Sequence, residues 1–180
     1  TDSNIYRALT QSTFIDLWHK GLVYEDERVS NWDTVLQTTI ADSEINYEDL
    51  PTLFNEIKFK VKETNEIIII GTTRPELIST CGAVIFNPKD KRYKSLKGKT
   101  AVTPLFEKEV PIFSHPLAEI EKGTGLVMMC SMGDLADVRF FREMKLKPTI
   151  AIEKDGTMNI NAGFLKSLKV KEARKKIIED

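Results

Sequence analysis

Only two cysteines, Cys81 and Cys130, and two histidines, His19 and His115, occur among the 180 residues. Two thiols do not make a disulfide framework, and no cysteines and histidines are grouped at zinc-ligand spacing. Catalysis of the Ser–His–Asp or Cys–His kind needs a base beside its nucleophile, and nothing in the sequence places either histidine beside a cysteine. Phosphate loops of the GxxxxGK[ST] or GxGxxG form are missing, so nucleoside-triphosphate and dinucleotide chemistry have no support. No apolar run approaches the roughly 20 residues that span a bilayer. The stretch from Thr1 to Ile5 lacks a basic-then-apolar leader pattern. An excess of one charge is missing too: 26 Lys and Arg face 27 Asp and Glu, a net charge of −1. A chain devoted to gripping nucleic acid usually carries a clear basic excess. The expectation is a soluble, cytoplasmic, globular domain with no metal site and no membrane contact.

What is present fits one core of ordinary size. Hydrophobic residues make up 41% of the chain, which excludes global disorder. The basic residues cluster in two stretches, Lys89 to Lys99 and Lys166 to Lys176. Each reads either as a solvated face or as a contact for a phosphate backbone.

Periodicity divides the chain into a helical start and a strand-rich remainder. Tyr6, Leu9, Thr13, Phe14, Leu17 and Trp18 recur at helical spacing, and Gly21 stands where a helix stop is expected. Leu22–Tyr24 is a short strand candidate, Asn31–Asp33 reads as a turn, and residues 34–50 read as a polar connector. Glu56 to Val61 alternates polar and apolar, as a half-buried strand does. The four isoleucines at 67–70 predict a strand covered on both faces. Ala83–Phe86 and Leu126–Cys130 are further strands, and Thr100–Pro104 with Glu109–Phe113 reads as a hairpin. Pro104 and Pro111 point to sheet edges. Thr149–Ile152 precedes Lys154-Asp155-Gly156, another hairpin signal, and helices are expected at 135–145 and 170–178. Many short strands separated by turns predict a mainly β fold, a closed or nearly closed β-barrel with a few peripheral helices.

Two constellations remain as candidate chemistry. Gly71-Thr72-Thr73-Arg74-Pro75-Glu76 puts two hydroxyls, a guanidinium and a carboxylate at a strand end. They either converge on a polar ligand or cap a turn and pair locally. Gly133-Asp134-Leu135-Ala136-Asp137 opens a helix, where Asp134 fits an N-cap with Asp137 at the capping-box position. The same two carboxylates at a barrel mouth would equally bind an ammonium.

Taken in order, these segments resemble the editing domain of the valyl-tRNA synthetases, in its archaeal-type form. Gly71 to Glu76 is similar to the family's threonine-rich peptide in the TTRPE form of the valyl branch, where isoleucyl relatives usually carry TTTPW. Asn87-Pro88-Lys89-Asp90 with Arg92-Tyr93-Lys94 resembles the HPDDERYK segment. Pro104-Leu105-Phe106, Glu109 to Ile112, Gly123-Thr124-Gly125 and Gly133-Asp134…Asp137 follow in family order. The match covers nearly the whole chain. It departs at Leu77, where many members have threonine, at Met128 and Cys130, where many bacterial members have lysine and threonine, and at Lys122, where an aromatic residue is common. The HIGH and KMSKS signatures of the synthetic active site are absent, so the resemblance implies a fragment that does not itself activate valine.

The resemblance implies a helical segment and connector at 1–45 and an editing barrel at 46–180. It implies hydrolysis of threonine mischarged onto valine-specific tRNA, with threonyl-adenylate as a further substrate. Asp137 would bind the α-ammonium and, with Thr73, form the catalytic pair. Thr72, Thr73, Arg74, Glu76 and Asp134 would contact the substrate, Asp134 reading the threonine hydroxyl. No cofactor is implied for this domain, ATP and Mg belonging to the parent synthetase. The implied partners are the tRNA 3′ end and the rest of the synthetase chain. The alternatives are an isoleucyl-type domain acting on valine-charged tRNA and a non-catalytic tRNA-docking module.

Overall fold

The computed structural model describes residues 2–179. The chain divides into two compact units, Thr1–Ser30 and Asn31–Asp180. The first holds helix α1 (Asn4–His19). Ser3 Oγ starts it by accepting from the Tyr6 amide at 3.3 Å, and Gly21, at φ +67°, ends it. The Gly21 and Leu22 amides close back on the Trp18 and Leu17 carbonyls at 2.9 and 3.0 Å, the closure that a left-handed residue permits. Leu22–Tyr24, expected as a strand, joins no ladder, because the Leu22 amide is already committed to the helix end.

In the second unit, β1 (Asn31–Asp33) and β2 (Thr38–Ile40) form a small antiparallel hairpin. The turn expected at Asn31–Asp33 falls just after it. Asp33 Oδ1 accepts from the Val35 and Leu36 amides at 2.7 and 3.0 Å, so the turn-forming side chain sits at the end of a strand. Trp32 Nε1 donates to Lys154 O at 2.8 Å, holding this hairpin to the 152–158 turn.

Six strands follow: β3 (Asn55–Val61), β4 (Ile67–Thr72), β5 (Cys81–Phe86), β6 (Thr100–Val102), β7 (Glu109–Ser114) and β8 (Leu126–Cys130). Their order in one sheet is β4-β3-β6-β7-β5-β8, with only β5 and β7 parallel. The end strands β4 and β8 lie against each other, so the sheet curls into a nearly closed, mainly β barrel. At that seam the Phe54 ring lies over Gly71 of β4 and Gly123 ahead of β8. A Cβ at Gly123 would meet Phe54 Cζ at 2.7 Å.

Alternation decides which strands are covered on both faces. Val84 and Phe86 of β5 and Leu126, Met128 and Cys130 of β8 point into the barrel. Ala83, Ile85 and Met129 point outward into a second cluster with Phe140 and Phe141 of α2 (Leu135–Glu143). The isoleucine strand β4 differs from its expectation. Ile68 and Ile70 are buried, but Ile67 and Ile69 are 54% and 39% exposed, because no helix among the described residues of this unit covers their face. Pro111 also departs from its expected edge position, since β7 lies inside the sheet. The Ile112 amide donates to Lys99 O on the β6 side at 2.8 Å. Alternation therefore turns the ring nitrogen of Pro111 toward β5, one residue before the parallel ladder starts at Val84 and Ile112. The last helix, α3 (Val170–Glu179), buries Ala173 and Ile177 against the 3₁₀ segment Pro75–Thr80.

Candidate functional site

β4 delivers the threonine-rich turn. Thr72 Oγ1 accepts from the Arg74 amide at 3.0 Å, and Asn55 Nδ2 donates to Thr72 O at 3.4 Å. Thr73 stands exposed, and among the described residues its hydroxyl makes no hydrogen bond. Past Arg74 the chain drops into the buried segment Pro75–Thr80. Glu76 goes with it and is 0% exposed. Arg174 of α3 donates to both of its oxygens at 2.7 and 2.9 Å, and Arg74 Nε donates to one at 3.3 Å. The expectation that Glu76 contacts a substrate is therefore corrected. A carboxylate enclosed by two guanidiniums is a structural anchor, out of a ligand's reach.

β8 delivers the acidic loop. Asp134 caps α2, its Oδ1 accepting from the Asp137 amide at 2.8 Å. The reciprocal half of a capping box is not made. Asp137 Oδ1 accepts instead from the Cys130 amide at 2.9 Å. Among the described residues, Asp137 Oδ2 accepts no hydrogen bond, which leaves an acceptor for a ligand cation. The threonine turn and this loop are bonded directly, through Arg74 Nη1 and Gly133 O. Five of the six anticipated residues, Thr72, Thr73, Arg74, Asp134 and Asp137, thus sit on two segments joined by one contact.

Burial dominates the electrostatics of Asp137 and pushes its carboxyl up to about 7. The neighbouring Asp134 pushes the same way, while the Cys130 amide and Arg74 pull it down. A carboxyl poised near neutrality without a ligand becomes fully ionised when an ammonium arrives beside it. Leu77, Met128 and Cys130 are all buried in the barrel core. The thiol of Cys130 is held well above its ordinary range by the Cys81 thiol opposite and by burial. It stays protonated and is no nucleophile. His115 packs edge-on to Phe140 and faces Glu143 Oε1 at 3.3 Å, away from these groups.

Two contributors were not foreseen. Arg174 belongs to a stretch read as a solvated or phosphate-facing charge run. Its spacing from Val170, Ala173 and Ile177 puts it on the inward stripe of α3, a signal the helical period carries. Gly133 is the other. A Cβ there would overlap Asp137 Oδ2, and the backbone at Gly133 is not left-handed. Gly133→Ala is therefore expected to fold normally while displacing the carboxylate. An unchanged thermal melt beside a shifted carbon-13 NMR titration of the Asp137 carboxyl checks this.

The profile of the tRNA synthetases class I (I, L, M and V) matches residues 2–173. The chain belongs to that family. Within it, the chain is 49% identical to the valine--tRNA ligase of Pyrobaculum aerophilum, over 100% of this chain and 22% of that protein. It is 46% identical to that of Aeropyrum pernix, over 99% and 22%, and 42% identical to that of Rickettsia typhi, over 99% and 22%. The chain thus spans about a fifth of the length of the ligases it matches. Among solved structures, it superposes on the Agrobacterium radiobacter K84 agnB2 LeuRS in its ternary complex with tRNA and LeuAMS. That match has a TM-score of 0.54 and 17% identity, covering 94% of this chain and 30% of the other, a likeness of fold.

Proposed function

We propose that this domain hydrolyses the ester of threonine mischarged onto a valine-specific tRNA, with threonyl-adenylate as a second substrate. The observation that carries the proposal is the direct bond between Arg74 and Gly133, which ties the turn bearing the exposed Thr73 hydroxyl to the loop whose Asp137 keeps a free carboxylate oxygen. Valine and threonine are nearly isosteric, and a hydrophobic synthetic pocket rejects the hydroxyl analogue only about a hundredfold, a figure measured in this enzyme family. A second site that bonds the hydroxyl discriminates further, because its polar group stays unpaired when valine enters.

In this reading Asp137 holds the α-ammonium and Asp134, exposed at the helix start, reads the side-chain hydroxyl. Thr72 and Thr73 orient the terminal adenosine or the attacking water. Leu77, Met128 and Cys130, buried in the barrel core, supply no competing hydroxyl reader. Water adds to the ester carbonyl, the tetrahedral adduct collapses, and the ribose oxygen leaves with a proton, releasing threonine and intact tRNA. Catalysis rests on positioning and on electrostatic complementarity.

A deacylation assay on the 180-residue chain compares threonyl- and valyl-tRNA, both with the valine anticodon. Threonine release is expected to be faster by tenfold or more, the worth of one hydrogen bond lost to an unpaired polar group at roughly 1.5–3 kcal/mol. Equal rates overturn the threonine assignment. Binding of both without turnover overturns the deacylase reading in favour of a docking module.

A further inference from the structure

We propose that Arg174, on the last helix, is a positioning residue for the Asp134–Asp137 end of this site, acting through a chain of contacts that runs from Arg174 to Glu76 to Arg74 to the Gly133 carbonyl. The inference rests on the deacylase reading of the same site and extends it to a residue that touches no substrate.

The chain begins where the cost of burial is highest. A carboxylate that is 0% exposed is tolerated only when its charge is met and its lone pairs are filled. Arg174 meets Glu76 with both nitrogens of its fork, at 2.7 and 2.9 Å. That two-point grip fixes orientation as well as charge. With Arg174 holding both oxygens, Arg74 needs only its Nε for Glu76, at 3.3 Å. Its Nη1 is left to donate to Gly133 O. The far end of the chain is a backbone group whose shift is felt at the carboxylate. Asp137 Oδ2 occupies the space that a side chain at Gly133 would fill, so moving that carbonyl moves the wall behind the carboxylate. Arg74 carries the positive charge that acts on Asp137, against the negative charge of Asp134 beside it and the neutral Cys130 thiol below. The contacts join residues 98 and 59 positions apart. They couple α3 to the loop that carries Asp134 and Asp137.

Removing Arg174 frees one side of Glu76, and Arg74 turns both of its donors there and releases Gly133. The experiment follows the Asp137 carboxyl by carbon-13 NMR across pH 5–9 in the parent chain, in Arg174→Ala and in Arg174→Lys. The same proteins are assayed for threonyl-tRNA deacylation over that range. In Arg174→Ala the Asp137 midpoint is expected to move above its parent value. The low-pH limb of kcat/KM should move with it, and the rate should fall about ten- to a hundredfold, as misplacement of a binding group does. Lysine keeps the charge but not the fork, so Arg174→Lys is expected to keep the fold and lie between. If Arg174→Ala does not fold, Arg174→Lys decides by the same readouts. A folded variant whose midpoint and pH limb match the parent overturns the proposal, as does lost activity with an unmoved midpoint. A parent chain without deacylase activity defeats the functional reading alone, because the midpoint still tests the coupling.

Discussion

Asp137→Asn is expected to lose ten- to a hundredfold in threonyl-tRNA deacylation and, at pH 8, to be more stable than the parent. The first effect is the loss of one charge-assisted hydrogen bond to the substrate ammonium, about 1.5–3 kcal/mol. The second follows from the titration of Asp137, raised to about 7 chiefly by burial. A carboxyl whose folded pKa lies above its unfolded value contributes most to stability below about pH 4. That contribution is lost as the pH rises through 7. The parent therefore carries an unfavourable buried charge at pH 8, which asparagine removes while still accepting from the Cys130 amide. The gain is on the order of 2 kcal/mol, the roughly 1.4 kcal/mol per pKa unit being discounted for the water that reaches the group. Parent activity should fall as the pH drops below about 7, since a protonated Asp137 cannot pair with an ammonium, and the variant should lack that limb. Urea melts at pH 5 and pH 8, with pH–rate profiles for both proteins, check the two halves separately. Equal activity in a folded Asp137→Asn removes the ammonium role. Equal stability at pH 8 means that Asp137 is better solvated than its position between Cys130 and Gly133 implies.

Glu76→Ala is expected to cost about 3–5 kcal/mol, the range for removing one partner of a buried ion pair. Arg174 and Arg74, each 35% exposed, would face each other across the emptied site with no carboxylate between them. Replacing Glu76 and Arg174 together by leucine should cost less, because the apolar pair fills the space and the charge that loses its partner, Arg74, is a third exposed and keeps its bond to Gly133 O. Urea unfolding of the three proteins gives the comparison. A Glu76→Ala change below about 1 kcal/mol would place the pair in the range of surface ion pairs.

Much of this architecture was legible from local pattern. Alternation located the strands, β-branched runs marked their interiors, and Gly21 and Asp134 marked a helix end and a helix start that the structure keeps. The misreadings share one cause, that neighbours in space are not written in the local pattern. Four isoleucines in a row look like a strand covered on both sides, yet only the inward pair of β4 finds partners. The strands covered on both sides are β5 and β8, because Phe140 and Phe141 of α2 pack on their outer face. Pro111 reads as an edge residue until the parallel β5–β7 pairing shows its missing amide facing a gap at the start of a ladder. Short-range signatures marked a turn at Thr72 and Thr73 and a cap at Asp134 and Asp137, while their proposed roles rest on the family resemblance. Glu76 was misplaced because its partner, Arg174, lies 98 residues away.

The order of polar and apolar residues, by itself, determined that this chain builds a barrel of short strands and which two segments carry hydroxyls and carboxylates. Spacing along a backbone suffices for that, since each side chain's direction follows from its position in a strand or helix. Only the tertiary structure decided that the two segments meet, that Asp137 abandons its capping role to accept from Cys130, and that Glu76 is an anchor instead of a ligand contact. These outcomes depend on which groups burial brings together, and the energy of a buried charge is set by neighbours that the chain supplies from far away.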